Sequence, residues 1–516
     1  MKKYFQQTPC TAINLAASTL LTLFALMILS VSLRELFKAV DTIGGVDFYY
    51  YLCTARDRVY GVSPHNPRTM SYFPGFYWIW GGVISWFGEN IKVIQQFYLA
   101  SLLLNASLIG CIVKSLRGTF SVSLVSASVY LWCALQVEGM EACLETLTTI
   151  PFFGGLLAWS YHLQRGRALL SMFCAGLGAA LAVFIKQQAL LLVVGGVGIL
   201  PLLRRKTSPA LCLKELGIGS VTFIVTLLLL FVLDTDGLKG LITGVNLVTS
   251  YESRGSFYTN LLAPILTLRP VIEITGILCI GVLLLSFTQE KSDSNKKLSR
   301  VVVLITTIAA ATSLYQFSRR GYLHYALVTV APLAVALGVA LQCILTELNG
   351  AKGRGRAISW ATIAAVIVAA VTYRSSFPAQ YQRIQSLRLR LPATEISAPF
   401  LPICQYIPRR SELFVFPSRR NIIHWLCGTT STIWNFGYGF APAPLSMFED
   451  TIKHPDVNYV FVTDPSIGDY NNEVEIQLQG APIRALLASE GFISKVSLES
   501  GELFQREASP LLPPRG

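Results

Sequence analysis

Apolar runs of helix length recur along this chain, at about 13–33, 91–113, 119–137, 143–161, 168–185, 187–203, 212–233, 270–288, 301–317, 325–346 and 357–373. A helix rises about 1.5 Å per residue and a bilayer's hydrocarbon core is about 30 Å thick, so these runs predict about eleven spanning helices. The polar breaks between them carry a charge pattern. With the N-terminus inside, the inner loops hold Lys114 and Arg117, then Arg165 and Arg167, then Arg204, Arg205 and Lys206, and later "EKSDSNKKLSR" and "AKGRGR". Basic residues are retained on the cytoplasmic side, so the alternation sets an orientation. It leaves the loop after the first run, the loop from Asp234 to Arg269 and everything beyond about Tyr373 on the outside. Reading 168–203 as one broken segment would invert everything downstream, and the later basic loops oppose that. The first run follows Lys2 and Lys3 without a clear small-residue cleavage site, which predicts a retained helix.

Two regions depart from this pattern. In "GGVDFYYYLCTARDRVYGVSPHNP", Gly44 to Pro67, Phe48, Leu52, Ala55 and Val59 fall on one helical face, with Asp47, Tyr50, Thr54 and Asp57 on the other. That spacing predicts an amphipathic helix lying in the outer membrane interface, broken by "SPHNP". The following "GFYWIWGGVISWFG" is too short to span, and its aromatics suit the interface. From about Ser397 the period changes. "LFVFP" and "NYVFVTD" read as strands, "APIRALLASEGF" as a helix closed by Gly491, and "ISKVSL", "ESGE" and "LFQRE" as a hairpin. The tail "SPLLPPRG" reads as disordered. The expected fold is an α-helical polytopic membrane protein. Its transmembrane domain covers 1–395, with the first outer loop at 34–90, and a small extracytoplasmic α/β domain covers 396–516.

Composition agrees with that class. Of the 516 residues 53% are hydrophobic and 14% charged, against about 25% charged in soluble domains. The net charge of +13 needs no nucleic acid, because basic inner loops account for it. No RNP-like, zinc-finger or P-loop pattern is present, so neither nucleic-acid binding nor ATP-driven pumping is supported. Most of the eleven cysteines fall in apolar segments, as small buried hydrophobes would. Cys404 and Cys427 lie in the more polar C-terminal region and either pair or remain two free thiols.

The candidates for chemistry each have two readings. Asp47 is a helix-start carboxylate favoured by the dipole, or a general base beside a membrane cavity, with Asp57 a second candidate for that role. Lys186 interrupts "AVFIKQQALLLVV", either snorkelling or placing positive charge where this protein otherwise avoids it. Arg319, Arg320 and His324 in "FSRRGYLHYALVTVAP" crowd the outer end of two runs. They are flanking charges or a site for an anion such as phosphate. Glu273, one turn into a run after Pro270, is an intramembrane acid and so a candidate substrate contact, as are Tyr50 and Tyr322. Glu138 and Glu141 read as solvated loop acids.

"VDFYYYLCTARDRVYGVSPHNP" followed by "SYFPGFYWIWGGVISWFG" resembles the first outer loop of the GT-C membrane glycosyltransferases, including protein O-mannosyltransferase-like and polyprenyl-phosphate-mannose-dependent enzymes. "LGAALAVFIKQQALLLV" resembles that family's Gly-rich segment ending in a lysine, and "RRGYLHYALVTVAPLAVALG" its late helix starting near His-Tyr. With the C-terminal domain, the resemblance in layout covers nearly the whole chain. Many members carry Asp-Glu in the first loop; here Asp47 is followed by Phe48, as in the branch with a lone acid. The resemblance implies a polyprenyl-phosphate sugar as co-substrate, a hexosyl donor and in its narrowest form a mannosyl one, with no cofactor and with metal assistance left open. It implies a glycan, lipid or protein acceptor. Asp47 would be the base, and Lys186, Arg319, Arg320 and His324 would hold the donor phosphate. The enzyme would sit in an inner or plasma membrane with its site outside. A lipid or anion transporter or flippase is the main rival, and an O-antigen ligase- or polymerase-like enzyme the third reading.

Overall fold

The computed structural model describes residues 9–40, 46–62, 73–116, 118–140, 143–187, 189–196, 209–234, 237, 241–242, 256–288, 302–304, 306–311, 323–350, 353–390, 394–416, 421–430, 445–466 and 476–507. In chain order the helices are α1 (Pro9–Ala39), α2 (Val46–Val59), α3 (Gly75–Phe87), α4 (Ile91–Ser115), α5 (Phe120–Gln136), α6 (Leu144–Gln164), α7 (Ala168–Ile185), α8 (Ala189–Gly196), α9 (Pro209–Leu233), α10 (Phe257–Thr288), α11 (Leu327–Gly350), α12 (Arg354–Tyr373) and α13 (Ser376–Arg390). Three short helices, α14 (Asn421–Cys427), α15 (Leu445–Lys453) and α16 (Ala481–Ser489), accompany four strands near the C-terminus. The tail from 508 onward lies outside the described residues.

Every one of the expected apolar runs overlaps helical residues. Seven helices among the described residues are long and apolar enough to cross a membrane. The runs at 119–137 and 143–161 correspond to α5 and α6; those at 187–203 and 301–317 are described only in part. The largest difference in boundary is at α10. The run expected from 270 begins at Phe257, and the helix continues through Pro264 and Pro270. Membrane helices tolerate proline because neighbouring groups re-satisfy the freed carbonyls. Arg269, placed by the charge pattern in a loop, is therefore helical.

The chain forms two compact units. The first comprises residues 1–40, 95–234 and 253–391. Its α6 and α7 run antiparallel at backbone contact, since a Cβ on Gly178 would stand 2.4 Å from the Pro151 carbonyl and 2.8 Å from Gly155 Cα. Small residues allow this approach where helix association depends on close packing rather than on expelling water. Gly176 does the same against the Gly219 carbonyl of α9. In the most apolar stretch of α11 the buried share is 83%, against 11% for α9, which separates an inner helix from one presenting its side chains outward. A helix that the hydrophobic pattern did not announce, α13, lies on α5 and α1. Phe377 stacks on Trp132 at 4.7 Å, and Arg388 and Tyr381 both reach Glu35 of α1 at 3.1 Å.

The second unit comprises residues 41–94, 235–252 and 392–516. Here the sequence reading needs correction. α2 is helical where the pattern places it, but its burial does not follow the expected apolar face. Tyr49, Tyr51, Leu52, Cys53, Thr54, Ala55, Arg56 and Asp57 are all buried, whereas Val59, assigned to the apolar face, is 42% exposed. The reason is tertiary: α2 is enclosed by α3 and α14, and the backbone carbonyls at the end of α14 accept from its arginine. The aromatics of α3 divide, with Phe76, Tyr77 and Trp80 buried and Trp86 and Phe87 exposed.

The strands are β1 (Leu413–Phe416), β2 (Tyr459–Thr463), β3 (Phe492–Leu498) and β4 (Gly501–Arg506), in the order β1-β2-β4-β3. β1 and β2 are parallel, and the remaining pairs are antiparallel. Both parallel strands are buried at every position, as expected of strands covered on two faces. Phe414, Phe416, Val460, Val462, Phe448 and Leu487 share one apolar cluster, and Phe400 meets Phe461. The expected hairpin is β3-β4, and Gly491 closes α16 at φ 77°. Cys404 and Cys427 are joined, tying a 3-10 segment (Thr394–Tyr406) to the end of α14. That resolves the pairing which sequence left open.

Candidate functional site

Asp47 lies in the first turn of α2, with Tyr50 one turn further; the side chains of both lie outside the described residues. Asp57 is ten residues along the same helix, about 15 Å away at 1.5 Å per residue, so the two carboxylates do not form a pair. Asp57 is buried beside Arg56, its Oδ1 3.6 Å from the guanidinium. Its surroundings are those of an internal counter-ion, which weakens it as a catalytic candidate. Arg319, Arg320 and Tyr322 lie outside the described residues. His324 is described only as part of a short 3-10 helix, Leu323–Ala326, that leads into α11.

Lys186 is not a snorkelling lysine. It caps α7 in an extended conformation, is 2% exposed, and forms a buried ion pair with Glu145 of α6. The antiparallel packing of α6 and α7 brings the first turn of one helix to the last turn of the other. Glu145 thus sits at a positive helix end and Lys186 at a negative one, an arrangement that favours both charges. The ring of Tyr325, next to His324 in the chain, lies 4.8 Å from the ammonium. Two of the motifs singled out in the sequence therefore meet here. Glu145 Oε2 has no hydrogen-bond partner among the described residues, which leaves a buried acceptor beside the lysine.

Glu273 is placed differently from the expectation. It lies in the middle of α10, half-exposed, 2.6 Å from Arg269 one turn before it and hydrogen-bonded to the Tyr373 hydroxyl of α12. Both interactions bind α10 to itself and to α12, a structural task.

The second unit holds a charged cluster of its own. Arg56 is fully buried and donates to the carbonyls of His424 (3.0 Å), Trp425 (3.3 Å) and Thr429 (2.6 Å). Its Nη1 is 3.6 Å from Glu89, which also meets Arg409 at 3.6 Å and the Tyr60 hydroxyl. Burial, and then Glu89 itself, raise the Tyr60 hydroxyl above its usual pKa, keeping it a donor. Burial beside Arg56 pushes His424 down to about 3, so its ring is neutral. Tyr60, Glu89, Arg409, Arg410 and Gly428 line an open cleft of about 390 Å³.

No family model and no curated protein sequence matches the chain. The crystal structure of ArnT from Cupriavidus metallidurans in the apo state aligns over 95% of this chain and 99% of that one, at a TM-score of 0.57 and 14% identity. The structure of ArnT from the same organism bound to undecaprenyl phosphate aligns over 96% and 100%, at a TM-score of 0.56 and 13% identity. The chain has a GT-C-like fold. At such identity the likeness is one of fold, and it extends from the helices through the C-terminal sheet domain.

Within that fold, several charged groups escaped the sequence reading. Glu145 interrupts an apolar run just as Glu273 does, so the rule that flags intramembrane acids would have found it. Arg56 and Glu89 gave no such signal, because their partners are backbone carbonyls and side chains distant in sequence.

Proposed function

We propose that this protein is an integral membrane glycosyltransferase that moves a sugar, in the narrowest reading a mannosyl group, from a polyprenyl-phosphate donor to an acceptor hydroxyl. The observation that carries this reading is the end-to-end likeness to ArnT, one of whose structures holds undecaprenyl phosphate. The lipid-linked donor fits a chain without a nucleotide-binding motif. The acceptor is a glycan, a lipid or a protein. Asp47 takes the proton from the acceptor hydroxyl as its oxygen attacks the anomeric carbon. The C1–O bond to the lipid phosphate breaks on the opposite face, so the configuration inverts. Lys186, Arg319, Arg320 and His324 hold the phosphate and stabilise the negative charge that grows on it as it leaves. The Lys186–Glu145 pair supports this assignment by keeping a charged lysine inside the membrane unit.

The test is to purify the protein with its lipid and identify that lipid by mass spectrometry. The pure protein is then supplied with undecaprenyl-phosphate-linked sugars and small acceptors. A bound polyprenyl phosphate and transfer with inverted configuration are expected. Absence of any polyprenyl lipid, together with no transfer from any donor offered, would overturn the reading.

The active face is proposed to be extracytoplasmic, in an inner or plasma membrane, on the loop charge bias. An impermeant thiol reagent applied to intact cells or spheroplasts is expected to label single cysteines at Ser63 and Ser466 and to spare one at Ser292. Labelling at Ser292 alone would reverse the orientation.

A further inference from the structure

The cleft in the second unit has parts that the proposed reaction leaves unused. Its charges do not cancel. Of the charged residues that line it, Arg409 and Arg410 stand against Glu89, an excess of one positive charge. Glu89 is already engaged by Arg56, Arg409 and the Tyr60 hydroxyl. Arg410 has no carboxylate within ion-pair distance among the described residues. It is exposed, with its guanidinium 4.4 Å from the centre of the Tyr60 ring. An arginine laid on an aromatic face keeps its planar fork of donors while losing little further freedom on binding.

The backbone holds this arginine in an unusual state. Arg410 has φ 67°, a left-handed conformation that side-chain-bearing residues rarely adopt. Its N–H donates to the Gly428 carbonyl at 2.8 Å, and its own carbonyl accepts from the Thr430 hydroxyl at 3.3 Å. Gly428 is itself left-handed, and a Cβ there would stand 2.8 Å from Arg409 Nε. The Cys404–Cys427 bond ties together the chain segments that carry these residues. Strained conformations persist where surrounding structure over-determines them, and they concentrate at binding sites. A clamp between α2 and the C-terminal segments needs only Arg56, Glu89 and Arg409.

We infer that this cleft binds an oxyanion of the phosphate class, with Arg410 as its principal donor and the exposed side of Arg409 as its second. The volume of about 390 Å³ admits a phosphate or pyrophosphate together with part of the group that carries it. Arg409 and Arg410 offer the forked N–H geometry that matches phosphate oxygens. The phosphate belongs either to a lipid headgroup or to a water-soluble phosphorylated molecule. The inference is independent of the proposed transfer reaction, because binding is read without donor or turnover.

The experiment titrates inorganic pyrophosphate calorimetrically into the full-length protein at low salt, first in phosphatidylcholine nanodiscs. The parent is expected to bind, and Arg410→Gln to weaken binding by roughly tenfold or more, as loss of a charge-assisted hydrogen bond does. Tyr60→Phe keeps the ring and should retain binding, whereas Tyr60→Leu should lose much of it, providing a second readout if Arg410→Gln folds poorly. Repeating the titration in nanodiscs containing phosphatidylglycerol separates the sources. Competition by that lipid identifies a headgroup site, and undiminished binding a soluble phosphate. If the parent does not bind pyrophosphate, or folded Arg410→Gln and Tyr60→Leu both bind like the parent, the cleft is only a clamp.

Discussion

Asp47→Asn is expected to lower sugar transfer by about 10²-fold or more while leaving folding and donor binding close to the parent, the size of effect typical when a general base is removed. Asparagine has the same shape and stays acceptable at a helix start, so α2 is preserved. The scaffold beneath Asp47 is rigid, because α2 is packed against α3 and α14 and anchored by Arg56 to three backbone carbonyls. A base carried on such an element keeps its position without help from a mobile loop. Asp57→Asn serves as the contrast. Asp57 is buried beside Arg56, and its neutralisation removes one of that arginine's two acidic partners. Its main effect should fall on the melting temperature rather than on turnover. Initial rates with a polyprenyl-phosphate sugar, set beside melting curves for both variants, separate the two. Loss of transfer in Asp57→Asn with normal transfer in Asp47→Asn would mean that the base is the other carboxylate.

What could be read from sequence followed the physical range of each signal. Apolar runs near 20 residues report the bilayer directly, so α1, α4, α7, α9, α11 and α12 lie close to where the pattern places them. The β3-β4 hairpin and the glycine stop of α16 are equally local, written in alternating residues and in Gly491. The reading went astray where partners are remote. Nothing near Arg56 in the chain shows that it reaches carbonyls at 424, 425 and 429, so the pattern alone gives α2 one buried face where the structure buries its polar positions as well. α13 reads "SFPAQYQRIQSLRLR", polar enough to pass for a linker, yet Phe377, Tyr381 and Arg388 attach it to α5 and α1. Lys186 was recognised as exceptional, but its counter-ion was not, because an antiparallel pairing of α6 with α7 is needed to bring Glu145 to it. For the candidate site, the sequence identified residues by type, and the structure added their neighbours only for Asp57, Lys186 and Glu273.

The second large effect is expected at that buried pair. Replacing Lys186 with Met leaves Glu145 enclosed without its cation, and breaking a buried ion pair from one side costs about 3–5 kcal/mol. Lys186→Met should therefore lower the melting temperature markedly. Adding Glu145→Gln removes the orphaned charge, and the double variant should recover most of the lost stability, since replacing both members of a buried pair is often close to neutral. Gly155 and Gly178, which set the approach of α6 to α7, remain in place, so the helices still pack. Transfer should behave differently from stability. If the Lys186 ammonium holds the departing phosphate, the folded double variant still lacks it, and donor use should stay roughly 10- to 150-fold below the parent, the range for a lost hydrogen bond to a charged group. A structural lysine would give the opposite result, with stability and transfer restored together. Tyr325→Phe offers a check within the same cluster, because it keeps the ring that faces the ammonium at 4.8 Å. Melting curves and donor titrations on these four proteins decide the matter: full transfer in a stable double variant would remove Lys186 from the phosphate site and leave that task to residues elsewhere.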